Sequence, residues 1–209
     1  MKYLVPALVF AVGFAAAHLT GPGTAADPKP VEPAKVAPVN PNIDMNAHIR
    51  NTQDAAAHRE KHRLSEDDFI KMSRERGVIV LDARSKQMYD LMHIEGAINL
   101  NYSDIDVVSL ARVLPDKGAK ILIYCNNNFT PAPDAPAAEN RTPNGSAPVA
   151  AAAKRAEIAK IAFGGKGRAV SLNLSTYTTL YNYGYKNVYE LAPTVDPATT
   201  KLALVSNRK

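Results

Sequence analysis

The sequence predicts an α/β fold in which a parallel sheet is covered by helices on both faces. Three observations predict it. Val78-Ile79-Val80-Leu81 ends in Asp82, and Ile121-Leu122-Ile123-Tyr124 ends in Cys125. Both runs are short, β-branched-rich and unalternating, which suits strands buried on both faces, because an exposed face would impose an apolar–polar alternation. Helix signals lie between them, and strands that alternate with helices build parallel sheets.

Order is expected to begin near Ile43. Met45 to Arg63 has helical composition, with Ala55-Ala56-Ala57 in its middle. Ser65-Glu66-Asp67-Asp68 is a capping box with Asp in the fourth place, and Phe69, Ile70 and Met72 give that second helix its buried side. Ala97 to Asn101 and Asn187 to Leu191 are weaker strands. Ser103-Asp104-Ile105-Asp106 caps a helix that reaches Leu114 and is stopped by Pro115. A last helix runs from Leu174 to Tyr183, with Gly184 as the residue that leaves it.

The stretch 131–162 reads as an insertion. Pro131, Pro133, Pro136, Pro143 and Pro148 make its first half a loop. Ala150 to Ala162 is expected to be a solvent-facing helix, with Ser146 as N-cap and Gly164 after its end. Without it, the remainder of 43–209 has the size of one compact domain.

The N-terminus has the layout of an export signal. Lys2 precedes the apolar run Tyr3 to Ala17, and Thr24-Ala25-Ala26 offers small side chains for cleavage. Residues 1–26 are therefore expected to be a signal peptide, and 27–42, with its spaced prolines, an extended linker. An uncleaved anchor is the rival, but the apolar run to Leu19 is short for a span. The expected location is periplasmic or secreted, with no membrane association beyond the signal segment.

Composition excludes several function classes. The chain has 209 residues, a single cysteine and a formal net charge of +5. One cysteine allows neither an intramolecular disulfide nor a Cys-based metal cluster. Lys and Arg are spread along the chain rather than blocked, which disfavours nucleic acid as a partner. Asp54, His58 and His62 have one-face helical spacing, but Arg59, Glu60, Lys61 and Arg63 around them indicate a solvated face, so no metal is expected. Gly164 to Arg168 lacks P-loop spacing. A cysteine phosphatase needs C-x5-R; here Pro131 holds the sixth place after Cys125, and Tyr124 precedes the cysteine.

In parallel α/β sheets, ligands sit beyond the carboxyl ends of the strands. Asp82 and Cys125 both end buried runs, so the spacing puts a carboxylate and a thiol on one edge. An unpaired thiol in an exported protein is either buried or reactive, and the polar Asn run after Cys125 points to exposure.

At this point the chain resembles the rhodanese family. Asp82-Ala83-Arg84, Tyr89 and His93-Ile94-Glu95-Gly96-Ala97-Ile98-Asn99-Leu100 resemble its D-x-R strand end and following G-H-I-x-G-A-I-N segment. Ile121 to Cys125 resembles the strand carrying its cysteine, and Gly184-Tyr185-Lys186-Asn187-Val188-Tyr189-Glu190-Leu191 its closing G-F/Y-x-N-V-Y-x-L. The likeness covers about 64–192. It implies a five-stranded parallel sheet and sulfur transfer from a thiosulfate-like donor to cyanide or another thiol, with no cofactor. Cys125 would be the nucleophile and persulfide carrier, and Asp82, Arg84 and His93 would be structural neighbours: a charge pair and a hydrogen-bonding turn residue. Backbone N–H groups of Asn126, Asn127, Asn128, Phe129 and Thr130 would cradle the sulfur anion, with the Thr130 hydroxyl as a further donor.

The family loop is often C-R-x-G-x-R/T. Here Asn126 stands for the arginine and Asn128 for the glycine, a substitution Asn tolerates by entering left-handed conformations. Lys166 and Arg168 are the residues expected to fold back and supply the missing charge. Pro131 and Pro133 block the helix that follows the loop in the family, which is expected to be displaced to about residue 171. The alternative function is a non-catalytic module that binds a periplasmic protein partner through the insertion.

Overall fold

Asp44 starts the first helix by accepting the Ala47 amide on its carboxylate at 2.8 Å, and Met45–Arg59 (α1) follows. The computed structural model describes residues 38–130, 147–165 and 167–208. The expected signal peptide, most of the linker, Ser146 with the rest of the insertion's loop, and Lys166 lie outside the described residues. Arg63–Leu64 (β1), Glu66–Ser73 (α2), Ile79–Asp82 (β2), Lys86–Leu91 (α3), His93–Ile94 (β3) and Ile98–Asn99 (β4) come next. They are followed by Val107–Val113 (α4), Ile121–Tyr124 (β5), Ala147–Ala162 (α5), Leu172–Asn182 (α6), Val188–Leu191 (β6) and Leu204–Val205 (β7). Among the described residues, no helix is long and apolar enough to cross a membrane.

The sheet has five parallel strands in the order β1-β6-β5-β2-β4. The two unalternating runs, β2 and β5, are neighbours near its middle, with Asp82 opposite Tyr124. Their side chains alternate between two cores. Val80, Leu122 and Tyr124 meet Phe69 of α2, Leu91 of α3 and Ala159 of α5. Leu81, Ile121 and Ile123 meet Ala55 of α1, Leu110 of α4 and Leu180 of α6. Gly184, at φ +93°, turns the chain out of α6 as expected.

Four local expectations are corrected. The first helix stops at Arg59, because Arg63 and Leu64 pair with Glu190 and Leu191 as an edge strand. Asp106, not Ser103, caps α4, in a reciprocal box with Ser109. The last helix begins at Leu172, two residues earlier than expected. The insertion's helix is not solvent-facing: Ala159, Ala162 and the following Phe163 are buried, and α5 packs on α3. Small alanines allow that close approach, and Phe163 stacks on Phe129 with ring centroids 3.7 Å apart.

One buried polar network ties these layers together. The Arg84 guanidinium, 1% exposed, donates to Asp82 Oδ1 at 2.9 Å and Oδ2 at 2.6 Å. It also donates to the Met92 carbonyl at 2.7 Å and the Ala162 carbonyl at 2.8 Å, and lies over the Phe163 ring. Tyr124 donates its hydroxyl to Asp82 Oδ2 at 2.6 Å and accepts the Ile94 amide at 3.1 Å. Burial, with the Asp82 carboxylate beside it, pushes the Tyr124 hydroxyl well above the usual phenol range, so it remains a donor.

The histidine pair at the end of α1, His58 in its last turn and His62 just beyond it, is not a solvated face either. His58 and His62 stack at 3.9 Å, and His58 Nδ1 meets the Tyr177 hydroxyl of α6 at 2.7 Å. His62 Nδ1 meets the His58 carbonyl at 2.8 Å, and its ring lies against Tyr189. Burial, then the nearby cations His62, Lys186 and Lys61, lower the His58 pKa.

Two outcomes are expected. Arg84→Met leaves Asp82 charged and buried without its partner, which costs about 3–5 kcal/mol when a buried pair is broken; urea unfolding measures it, and a loss under about 1 kcal/mol would contradict the role given to the network. His58 resists protonation when folded, so its contribution is complete above its ordinary pKa of 6.5 and is lost as pH falls below that value. The urea midpoint should therefore drop between about pH 7 and pH 5, with a shallower drop in His58→Gln.

Candidate active site

Cys125 follows the last residue of β5, and strand alternation sends its side chain to the opposite face from Tyr124. The thiol and the Asp82–Arg84 network therefore share a sheet edge but not a compartment. Sγ lies 3.3 Å from the hydroxyl of Ser171, the residue before α6. Ser171 makes no capping hydrogen bond with its side chain, which leaves the hydroxyl directed at sulfur. α6 thus brings its N-terminus to the cysteine from beyond the insertion, while Pro131 and Pro133 lie outside the described residues. Cys125 is 1% exposed, in contrast to the exposure expected from the Asn run.

The loop differs from the inward-pointing nest. Asn126–Asn128 is a single 3-10 turn. The Asn128 amide donates to the Cys125 carbonyl at 3.1 Å, the Phe129 amide to the Asn126 carbonyl at 3.0 Å, and the Thr130 amide to the Val195 carbonyl at 2.9 Å. The Thr130 hydroxyl also faces the Val195 carbonyl, at 3.4 Å. The Asn128 amide also faces the Cys125 side chain, which caps the turn as one half of a reciprocal box; the Phe129 and Thr130 amides and the Thr130 hydroxyl are directed at carbonyls. No described residue other than glycine has a positive φ, so Asn128 does not stand for glycine by entering the left-handed region.

Asn128 acts through its side chain. Its Oδ1 accepts the Cys125 amide at 2.9 Å and the Asn173 side chain at 3.0 Å, and its Nδ2 donates to the Leu191 carbonyl at 2.5 Å. Three separate segments are thereby fastened around the cysteine. Asn126 donates to the Gly164 carbonyl at 2.7 Å, tying the loop to the end of the insertion.

A cleft of about 330 Å³ opens beside this arrangement. Asn127, Asn128, Ser171 and Asn173 line it together with Arg168, Arg59 and Glu190. Arg168 thus stands on the cleft next to the cysteine loop. Arg59 Nε donates to Glu190 at 2.9 Å, and the Glu190 carboxyl is raised by burial although Arg59 favours its charged form. Among the described residues, the Asn173 Oδ1, the Asn126 Oδ1 and the Thr176 hydroxyl are buried without a partner.

His93 stays on its own turn. Its ring stacks on Tyr89 at 3.8 Å, and its Nδ1 meets the Tyr89 carbonyl at 2.7 Å. Sequence reasoning missed Ser171, Asn173, Arg59 and Glu190. Only Ser171 carried a signal, as a serine directly before a helical stretch.

A parallel α/β sheet with its lone cysteine at a strand's carboxyl end defines the class of domain. The family model for the rhodanese-like domain matches residues 65–192, more than half of the chain, and the chain belongs to that family. A curated relative, the tRNA uridine(34) hydroxylase of Onion yellows phytoplasma (strain OY-M), is 31% identical over 96 residues. That match covers 44% of this chain and 29% of the relative, so the chain spans under a third of its length. Among solved structures, a rhodanese with anions from E. coli is 18% identical with a TM-score of 0.34, over 62% of this chain and 98% of that one. A thiosulfate sulfurtransferase from Pseudomonas aeruginosa is 18% identical with a TM-score of 0.40, over 76% of this chain and 23% of that one.

Replacing Asn128 by Leu strands the Cys125 amide, the Asn173 side chain and the Leu191 carbonyl. Buried groups left unpaired cost about 1–3 kcal/mol each, so with three of them a loss of at least about 3 kcal/mol is expected in urea unfolding. The native thiol should also react faster with an aromatic disulfide reagent. Unchanged stability and thiol reactivity would show that Asn128 does not hold the loop.

Proposed function

We propose that the chain is an exported sulfurtransferase that carries sulfane sulfur on Cys125. The observation that carries this reading is the position of Sγ: at a strand's carboxyl end, 3.3 Å from a hydroxyl at the N-terminus of α6. A hydroxyl donor and the positive end of a helix both favour a sulfur anion there. The family and the apolar N-terminal stretch support the transfer and the export, respectively.

The reaction balances without a cofactor. The Cys125 thiolate attacks the outer sulfur of thiosulfate, the sulfur–sulfur bond breaks, and sulfite leaves with the bonding pair. Cyanide or a thiol then attacks the terminal sulfur of the Cys125 persulfide, giving thiocyanate or a new persulfide and restoring the thiolate. Ser171 both contacts Sγ and lines the cleft, which makes the cleft the donor's route to sulfur in this reading.

The near-complete burial of Cys125 favours a second reading, a non-catalytic module whose insertion binds a periplasmic partner. Intact mass after incubation with thiosulfate separates the two. The transfer reading expects a gain of one sulfur atom that cyanide removes and that is absent in Cys125→Ala. No adduct in the wild type with thiosulfate or with an organic persulfide would overturn it.

A further inference from the structure

α1 is lightly packed for its length. It has 15 residues and buries one side chain, Ala55. Its large apolar residues, Met45 and Ile49, are exposed. A cavity of about 810 Å³ opens between it and α6. Helices in proteins are held chiefly by a buried apolar face, which α1 lacks. Its last turn carries polar fastenings instead: His58 Nδ1 meets the Tyr177 hydroxyl of α6 at 2.7 Å, and Arg59 pairs with Glu190 of β6. Beyond that turn the chain is anchored. The Glu190 amide donates to the His62 carbonyl at 3.0 Å, and Arg63 and Leu64 pair with β6. Glu60 and Lys61 therefore join a lightly held helix to a fixed strand.

The stacked rings of His58 and His62 span this junction, one on the helix and one on the anchored side. His62 Nδ1 donates to the His58 carbonyl, which leaves Nε2 to take up a proton. Charging both rings places like charges 3.9 Å apart. Lys61 and, from the turn before β6, Lys186 add positive charge around His58, and Tyr177 and Tyr181 of α6 pack against it. Tyr189 of β6 packs against His62. Nearby carboxylates are engaged: Glu60 pairs with Arg63, and Glu190 with Arg59. Asp54, one turn back on α1, is exposed to solvent, which screens it. The Glu190 carboxyl, raised by burial, takes up its proton more readily when α1 is docked and so acts against release.

We propose that α1 is a proton-released strap: as His58 and His62 charge, α1 leaves α6 and Glu190, turning about Glu60 and Lys61, while the sheet and the Asp82–Arg84 network stay folded. Release takes Arg59 out of the wall of the cleft beside the cysteine loop and uncovers Tyr177. The device is independent of the sulfur-transfer reading. In the docked state, burial and the neighbouring cations hold His58 below its ordinary value of 6.5. Docking is therefore complete above that value and weakens as pH falls below it. A histidine that takes up its proton only when released raises the released population about tenfold between about pH 7.5 and pH 5.5.

Amide hydrogen exchange of the full chain at those two pH values, corrected for intrinsic exchange rates, tests the strap. Protection of the amides of 52–59 should lie at least about tenfold below that of β2 and β5. It should fall further at the lower pH, several-fold and up to about tenfold. Added urea should change it little, because releasing one helix exposes little surface. His58→Gln keeps a polar group toward Tyr177 but cannot charge, and should remove most of the pH-dependent fall. Lys186→Gln, an exposed change outside α1, takes one cation away from His58 and should reduce the fall as well. One shared protection level and one urea slope for α1 and β5 would show that the opening is global and would overturn the strap. A fall that persists in full in His58→Gln, or α1 protection that ignores pH, would overturn the histidine trigger.

Discussion

The buried contact between Asp82 and Arg84 is the constraint on which the rest of the architecture depends. A carboxylate and a guanidinium removed from water are costly unless their remaining hydrogen-bonding capacity is met. Here it is met by groups from distant parts of the chain. Met92 supplies a carbonyl from the turn after α3, and Ala162 supplies one from the end of α5. Tyr124 shares the carboxylate from the neighbouring strand and accepts the Ile94 amide. Satisfying one ion pair thus fixes where β3 begins, where α5 ends and how β5 lies beside β2. It also places Gly164, just past α5, where Asn126 can bond it.

The same two strands then separate structure from chemistry. Tyr124 points into the face that holds the ion pair, and Cys125, one residue on, turns its sulfur to Ser171 before α6. Alternation alone keeps the thiol away from a permanent carboxylate, whose negative charge would oppose a second anion beside it. The sulfur instead faces the positive end of α6.

What the sequence made legible follows from which signals are local. β2 and β5 were readable because four successive apolar residues need no knowledge of their neighbours. Their order at one sheet edge made Cys125 readable in turn. β1, β3 and β7 were not readable, since a two-residue strand exists only through its partner. The burial of α5 was hidden because its contacts are made by alanine, which leaves no stripe of large side chains. Asn128 looked like a tolerated replacement for glycine, yet its role is to bond three segments up to 63 residues away. Arg59 and Glu190 meet across 131 residues and carry no mark in the sequence at all.

The site is assembled from separate pieces of the chain. Before Pro131, Phe129 is extended and bridged to Val195, and the Thr130 amide donates to the Val195 carbonyl. That path commits the Phe129 and Thr130 amides to backbone carbonyls, while the Asn128 amide keeps the Cys125 side chain within its turn. Further donors come from the start of α6: Ser171 at the sulfur, and Arg168 on the adjoining cleft. Because α6 starts after the insertion rather than after the cysteine, its N-terminal surroundings are free to be built from α1 and from the segment 164–173. The cleft beside the cysteine loop is accordingly walled by Arg59 of α1, by Arg168 and Ser171, and by Asn173 and Leu174 of α6.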